Sequence, residues 1–460
     1  MAMFAAILAV SVGMGTPLLA QTSAGEQLAQ HAQKAQEAEQ RNDFASAVKE
    51  YEFMAAALPR NAEIQSNLGV ALYFNHELRR AITVLHKAEA LNAKLLAPHL
   101  FSGLAYYHLS NPGAAAPELE EAVRISPSDT LAHTWLGYTY EALSLHEKAL
   151  AQFQSAERLQ PRNVDIWYAI GQTCLEIGKE KTKELLRSAP NSARVWQLAG
   201  EQFELKGDSG KAKAAFAEAH RLRPGFTGCP GNGSVEDSLY CKAHDAETSA
   251  QVAFQRVLQE APNSARAHQI MADSYFARQQ LDNATSEYRL VLQADPRLPN
   301  IHLQVGRCLM LRGQFDAALH EYEEEEKLQP ESAQVQADMG RVLLAMDRNR
   351  EAAATLRKAV ALDRPPVEAY FLLGKAELRN HNENEAVRFL QHYVTAKPDD
   401  SAGYYLLSMA YRATGDKARM REAIELYKKT SQDTKERNLA QMELDRRNNT
   451  ETAEEGNPQS

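Results

Sequence analysis

Apolar positions recur along this chain in a helical rhythm that is interrupted at regular intervals. In residues 131–161, LAHTWLGYTYEALSLHEKALAQFQSAERLQP, two amphipathic stretches flank a short polar turn. Apolar residues three and four positions apart lie on one face of a helix, so each stretch predicts an amphipathic helix. The closing proline predicts the end of the second helix. This segment therefore predicts a helical hairpin, with a helix A followed by a helix B.

The same pattern recurs with a period of 34 residues. The closing prolines stand one or two periods apart within each half of the chain: Pro59, Pro127 and Pro161, then Pro262, Pro296, Pro330 and Pro398. In this frame twelve repeats begin near residues 28, 62, 96, 130, 164, 193, 231, 265, 299, 333, 367 and 401. Position 8 of each repeat is small and position 20 is alanine in ten of them. Small residues at both positions let helices A and B approach closely.

These residues resemble the tetratricopeptide repeat family. The resemblance is carried in the quoted repeat by Leu136, Gly137, Tyr140, Ala149, Phe153, Ala156 and Pro161. It implies an all-α fold, a right-handed superhelical solenoid of about twelve helix–turn–helix repeats. In that family, helices A line a concave groove that binds proteins or peptides. Stacking is expected because one hairpin has too little core to stand alone.

Two repeats depart from the pattern and suggest how the chain is divided. Repeat 5 has a short helix B with Lys183 where alanine is expected, and repeat 7 has a degraded helix A. We expect a bend or looser packing at 180–192 and 225–245. The predicted divisions are a signal peptide at 1–20, repeats 1–5 at 24–192, repeats 6–12 at 193–431 with an irregular cysteine-containing insertion at 225–245, a capping helix at 432–446 and a disordered tail at 447–460.

The apolar N-terminus bears on where the protein works. Its short apolar stretch, broken by Pro17 and followed by Ala20, is typical of a cleaved signal peptide, although it carries no Lys or Arg. An uncleaved anchor and a cytoplasmic protein are the alternatives. We expect a periplasmic or secreted protein of the bacterial envelope. The net charge of −9 gives no general attraction to nucleic acid or anionic lipid.

Candidate chemistry is sparse. The sequence contains no HExxH, P-loop or GxSxG motif, so we predict no enzyme, no cofactor and no metal. Histidines recur at position 4 of their repeats, which favours a shared packing role: His99, His133, His268 and His302. Cys229 and Cys241 bracket a loop, and a disulfide between them is plausible in an oxidising compartment.

Groove residues follow from the resemblance, which places positions 2, 5, 9 and 12 of helix A in the groove. Apolar and aromatic candidates are Tyr73, Leu104, Tyr107, Tyr138 and Tyr168. Basic candidates are Arg307, Arg341, Lys375 and Arg412. The first set suggests a binding patch, with tight packing between repeats as the alternative. The second set suggests a grip on an acidic segment, with pairing to nearby Asp and Glu as the alternative.

The function predicted on these grounds is a non-catalytic scaffold that holds a protein or peptide in its groove, in the bacterial periplasm. One alternative is an assembly or carrier factor for envelope polysaccharide, pilus or secretion machinery, and a second is an enzyme accessory domain. No nucleic acid partner is expected. Membrane contact is expected only through partners or an uncleaved N-terminal segment.

Overall fold

The structure, a computed structural model, describes residues 23–432 except 206, 226–227, 230–232 and 363. Every regular element in this part of the chain is an α-helix, which confirms the predicted all-α class. The helices are α1 (Ser23–Gln40), α2 (Phe44–Ala57), α3 (Ala62–Phe74), α4 (Leu78–Leu91), α5 (Leu96–His108), α6 (Pro112–Ile125), α7 (Thr130–Ala142), α8 (His146–Leu159), α9 (Val164–Ser188), α10 (Ala193–Leu205), α11 (Ser209–Leu222), α12 (Val235–Glu260), α13 (Ala265–Ala277), α14 (Leu281–Ala294), α15 (Ile301–Leu311), α16 (Phe315–Leu328), α17 (Ala333–Ala345), α18 (Asn349–Ala361), α19 (Val367–Arg379), α20 (Glu383–Ala396) and α21 (Ser401–Thr414). A further helix, α22, begins at residue 417 and continues to 432.

Several predicted segments lie outside the described residues. These are the signal peptide at 1–20, the capping helix at 432–446 beyond its first residue, and the tail at 447–460. In the part that is described, no helix has the length and hydropathy needed to cross a membrane.

The turn between consecutive helices A and B has the same backbone conformation in every predicted repeat except 5 and 7, whose position 15 lies inside α9 and α12. Position 15 of the repeat adopts a positive φ, for example +61° at His76 and +75° at Gly313. The next amide then donates to the carbonyl five residues earlier, as Glu77 N does to Leu72 O at 2.9 Å. Glycine occupies this position without the steric cost that other residues carry, as at Gly313.

Close approach of the paired helices depends on the small residue at position 8. A Cβ added to Gly69 would lie 2.4 Å from Leu85 Cδ2, and one added to Gly137 would lie 2.6 Å from Phe153 Cε1. Both contacts are closer than carbon atoms can approach, so the helix–helix distance requires glycine there. The alanines at position 20 are buried in the same interfaces, Ala81 among them.

Contacts among Cα atoms divide the chain after Ile166 into two units. Unit 1 contains four hairpins, α1–α2, α3–α4, α5–α6 and α7–α8, each packed on the next. Unit 2 contains the hairpin α10–α11 and a regular stack formed by α13 to α22. The predicted block boundary at 192/193 remains a prediction.

The beginning of unit 2 departs from the predicted repeat. Helices α9 and α12 are 25 and 26 residues long, about twice the length of their neighbours. A Cβ added to Gly171 in α9 would lie 2.4 Å from Phe254 Cε1 in α12, which is the contact that a glycine and its own helix B make elsewhere. The two long helices therefore form one hairpin, and α10–α11 is inserted between them in sequence.

This arrangement corrects two expectations. Residues 235–245, assigned above to an irregular insertion, belong to α12, and residues 180–188, where looser packing was expected, continue α9. The expected separate helices of repeats 5 and 7 are merged, so the described residues form eleven hairpins and not twelve. The extended half of α9 packs through Leu185 against Leu239 and Tyr240 of α12.

Candidate peptide-binding surfaces

An unbroken series of aromatic rings runs through unit 1. Neighbouring ring centroids lie 4.9–6.0 Å apart, and most pairs meet edge to face. We call these residues the aromatic series: Phe44, Phe74, Tyr73, Phe101, His108, Tyr107, Trp135, Tyr138 and Phe153. Such contacts stabilise beyond the burial of apolar area, so the series ties successive hairpins together.

The structure places three predicted groove residues in this series. Tyr73, Tyr107 and Tyr138 are half-buried, and burial raises the pKa of the Tyr73 and Tyr107 hydroxyls above the ordinary range. The rings thus take part in packing between repeats, the alternative considered above, while part of each remains exposed. Leu104 is only 4% exposed and belongs to the core. Its assignment to a binding surface is wrong, because a neighbouring helix already covers it.

Tyr168, the fifth predicted apolar residue, lies in unit 2 against α13. The Arg266 guanidinium sits 4.7 Å from the centroid of its ring, and Gln172 Nε2 donates to its hydroxyl at 2.9 Å. A cation over a ring face is attracted by the ring quadrupole. Tyr168 is therefore half-buried and engaged by its own unit.

Two of the predicted cations share one buried carboxylate. Arg307 donates to Asp338 Oδ2 from Nε at 3.1 Å and from a terminal nitrogen at 2.8 Å. Arg341 lies on the other side of Asp338, with its Nε 3.7 Å from Oδ1. Asp338 is 4% exposed. Arg307 and Arg341 are thus partly neutralised from within the fold.

The other two predicted cations lie on a more open surface at the end of unit 2. Lys375 on α19 is half-buried and Arg412 on α21 is exposed, and neither makes an ion pair among the described residues. Tyr405 and Met409 of α21 are 49% and 45% exposed. Tyr405 precedes Arg412 by two helical turns and Met409 by one, so all three project from one face. With Phe371 of α19, these residues form what we call the C-terminal groove surface: Phe371, Lys375, Tyr405, Met409 and Arg412.

A buried charge network lies beside the predicted cysteine pair, which the structure joins by a disulfide between Cys229 and Cys241. Arg194, 1% exposed, donates from Nε to Asp237 Oδ1 at 2.6 Å and from a terminal nitrogen to the carbonyl of Gly228 at 2.6 Å. Arg223 donates to Asp237 Oδ2 at 2.8 Å. Burial raises the pKa of Asp237, but hydrogen bonds from the two arginines and the Ser234 amide outweigh it and lower that pKa to about 2.

The histidines at position 4 share a hydrogen bond that the sequence did not reveal. Nδ1 of each pairs with an acidic or amide side chain nineteen residues later, across the hairpin, at 2.7–2.9 Å: His99 with Glu118, His133 with Gln152, His268 with Glu287 and His302 with Glu321. His31 pairs with Glu50 in the same way. The shared packing role expected from the sequence is thus a side-chain hydrogen bond that joins helices A and B. We call this hydrogen bond the histidine clasp.

The stacked hairpins and their close glycine contacts define a helical repeat protein. Two stretches, residues 102–163 and 337–401, match the family model described as tetratricopeptide repeat. These two stretches are therefore tetratricopeptide repeats, as the sequence pattern predicts. No curated protein sequence matches it.

Solved structures of similar fold cover less than half of this chain. The crystal structure of the MamA protein is 23% identical over 36% of this chain and 89% of its own, with a TM-score of 0.33. YrrB, described as a TPR protein with an unusual peptide-binding site, is 18% identical over 39% of this chain and 93% of its own, with a TM-score of 0.35. The pilF protein of Pseudomonas aeruginosa is 20% identical over 39% and 80%, with a TM-score of 0.35.

Proposed function

We propose that the chain is a non-catalytic scaffold that binds an extended segment of a partner protein on the C-terminal groove surface. The observation that carries this proposal is the exposure of Tyr405 and Met409, at groove positions 5 and 9 of α21. The same positions of α17 and α15 include Ala337 and Leu303, which are buried. Large apolar side chains left open beside each other are typical of a contact surface.

The charge of this surface suggests the chemistry of the ligand. Lys375 and Arg412 lie without ion-pair partners among the described residues, whereas Arg307 and Arg341 share Asp338. A peptide with one or two acidic residues next to an apolar side chain complements this surface. Charge-assisted hydrogen bonds to Arg412 supply orientation, and the apolar contacts with Tyr405 and Met409 supply most of the affinity.

The test begins with a 12-residue peptide library displayed on phage and selected against the full chain. Selected peptides are then labelled and titrated by fluorescence anisotropy against wild type, Tyr405→Ala, Met409→Ala and Arg412→Ala. We expect acidic, apolar peptides whose dissociation constant rises about tenfold or more for each variant, as for other contacts at the centre of an interface. Raising the salt concentration is expected to weaken binding to wild type.

Leu311→Ala provides the matched control. Leu311 is 59% exposed on α15 and lies outside the C-terminal groove surface, so its loss is expected to leave affinity unchanged. Equal binding by wild type and all three groove variants contradicts the proposal. Binding of a glycan library that resists salt and is lost in Tyr107→Ala and Tyr138→Ala proteins would favour the alternative of an envelope carrier factor.

We further propose that the protein works in the bacterial periplasm. Support comes from the apolar N-terminal sequence and from the disulfide between Cys229 and Cys241, since such bonds persist in oxidising compartments. N-terminal sequencing of the protein purified from an expressing bacterium tests this idea. A start at Gln21 in the periplasmic fraction is the expected result, and an intact start in the cytoplasmic fraction contradicts it.

A further inference from the structure

Three consecutive helices of unit 1 bring two histidines and two glutamates together. His86 and Glu89 lie on α4, His99 on α5 and Glu118 on α6. His86 Nε2 is 3.5 Å from Glu118 Oε1 and 4.0 Å from Glu89 Oε2. One ligand atom from each of these three side chains falls within 4.8 Å of the other two. All are of the types that divalent transition metals prefer.

The outer atoms of both carboxylates are already held in place. His99 Nδ1 pairs with Glu118 Oε2 at 2.9 Å, and Ser102 Oγ donates to Glu89 Oε1 at 3.1 Å. Each glutamate thus has one oxygen fixed by a neighbour while the other faces His86. Protein metal sites commonly fix their ligands through outer hydrogen bonds of this kind.

One of the three inner atoms, His86 Nε2, lacks a hydrogen-bond partner. His86 Nε2 is inaccessible to solvent and makes no hydrogen bond, which is unfavourable for a buried polar atom. A cation placed between the two carboxylates and this imidazole nitrogen would bind one atom of each side chain.

We propose that His86, Glu89 and Glu118 bind a divalent transition metal ion of the Zn²⁺ class, with His99 and Ser102 orienting the two carboxylates. Three protein ligands and one water complete a tetrahedral zinc site. The side chain of His86 is 40% exposed although its Nε2 atom is covered, so the site lies close to the protein surface. Because α4 and α6 belong to neighbouring hairpins, the bound metal links the hairpin α3–α4 to α5–α6.

A second histidine clasp, between His302 and Glu321, lacks the additional ligands that lie near His99 and Glu118. His302 pairs with Glu321 as His99 pairs with Glu118. The positions that correspond to His86 and Glu89 in the preceding repeat are there Arg289 and Leu292, which cannot supply ligands. The clasp alone therefore does not make a metal site, and His302 serves as a control.

The experiment uses the untagged full chain after treatment with a chelator. Zn²⁺ is titrated by calorimetry, and the bound metal is counted by elemental analysis after dialysis, for wild type, His86→Ala, Glu118→Gln and His302→Ala. We expect wild type and His302→Ala to retain the same metal content. His86→Ala and Glu118→Gln are each expected to retain one equivalent less. His99→Gln is expected to weaken binding about 10–100-fold, as loss of an outer partner does elsewhere.

Two further measurements separate loss of the site from loss of the fold. Circular dichroism of the metal-free proteins reports folding, and the absorption of bound Co²⁺ reports a tetrahedral site that includes nitrogen. Folded His86→Ala and Glu118→Gln proteins that lose the Co²⁺ band support the proposal. Equal metal content in wild type and both variants, or no bound metal in wild type, overturns it.

Discussion

The regular stack of unit 2, α13 to α22, and the hairpin formed by α9 and α12 make the same helix contact in different ways. We call the second of these the discontinuous hairpin, because α10–α11 separates its two helices in sequence. In the regular hairpin α15–α16, Gly306 faces Tyr322 of the helix that directly follows it. In the discontinuous hairpin, Gly171 of α9 faces Phe254 of α12, with the whole of α10–α11 between them in sequence. The comparison teaches that a hairpin is defined by close approach of two faces and not by a short connection.

The two regions also differ in how buried charge is handled. Asp237 in α12 and Asp338 in α17 each lie between two arginines. Arg194 is fully buried beside Asp237 and Arg223 is 42% exposed, whereas both arginines beside Asp338, Arg307 and Arg341, are partly exposed, at 30% and 42%. The Arg194–Asp237 ion pair is therefore more strongly shielded from solvent than either ion pair of Asp338 in the regular stack.

The largest effect is expected from Asp237→Ala. This change removes the carboxylate that pairs with the buried Arg194 charge, and loss of one member of a buried ion pair costs about 3–5 kcal/mol. Asp338→Ala is expected to cost less, since Arg307 and Arg341 can turn to solvent. Peptide-resolved hydrogen exchange of α12 and α17 measures both. Equal costs in the two variants would remove the distinction between the regions.

Loss of the disulfide comes next. Replacing Cys229 and Cys241 by serine removes a short closed loop, which is worth about 2–3 kcal/mol in the chain-entropy account. Faster exchange is expected in the first half of α12, because the Gly228 carbonyl that binds Arg194 is next to the bond. Peptides of α17 to α20 serve as the internal control. Faster exchange there to the same degree contradicts a local role.

Adding a methyl group at either close contact is expected to have a similar, moderate cost. Gly306→Ala and Gly171→Ala force a new Cβ against Tyr322 and Phe254, and overpacking of this kind costs about 1–3 kcal/mol. Urea denaturation followed by circular dichroism measures the loss. Gly113→Ala is the control, since a Cβ there meets only Asn111 Oδ1 at 3.8 Å. A neutral result at Gly171 with a large one at Gly306 would break the equivalence of the two hairpins.

The smallest effect concerns acid. The pKa of Asp237 in the folded protein is about 2, below its ordinary value of 3.8. A lowered pKa stabilises the fold above the ordinary value, and this contribution is lost as the pH falls from about 4 toward 2. The stability advantage of wild type over Asp237→Asn in α12 is therefore expected to shrink over that range. An advantage that stays constant from pH 5 to pH 2 contradicts this assignment.

Periodicity was sufficient to predict the regular hairpins. The small residue at position 8, alanine at position 20 and the closing proline mark each helix pair, because those residues determine close approach and helix ends. Position 15 was a missed signal. Residues of different types, such as His76 and Ser144, occupy this position, so the sequence shows no common feature there. Only the backbone reveals their common left-handed conformation.

The discontinuous hairpin could not be predicted from the repeat frame alone, because the frame assumes that helix B follows helix A. A signal was nevertheless present. Residues 164–188 and 235–260 contain no proline, and the capping pair of Ser234 and Asp237 marks the start of one uninterrupted helix. Glu325 is a second case. It stands where other repeats have a buried alanine, such as Ala88, Ala122 and Ala156, and its buried carboxylate accepts hydrogen bonds from the Asn300 and Leu303 amides at the start of α15.

Only some of the predicted groove residues are exposed and free of ion pairs. The position of a residue in its repeat does not show whether the next repeat covers it. Tyr405 and Arg412 remain open, whereas Leu104 is buried and Arg307 is paired. Acidic side chains such as Asp338 lie in the neighbouring repeat, and their effect on a groove residue depends on the stacking of the two repeats. The metal ligands proposed in unit 1 were not predicted for the same reason, since they come from two different helices, α4 and α6.

The most direct test of the discontinuous hairpin is a double-mutant cycle between Gly171→Ala and Phe254→Ala. Removing the ring makes room for the new methyl group, so the cost of Gly171→Ala is expected to fall nearly to zero in the Phe254→Ala protein, a coupling of about 1 kcal/mol or more. Arg187 is the control, because it stands where a contiguous helix B would place the partner of Gly171. Coupling of Gly171 to Phe254 and not to Arg187 is the predicted result. Coupling to Arg187 and not to Phe254 would contradict the pairing of α9 with α12.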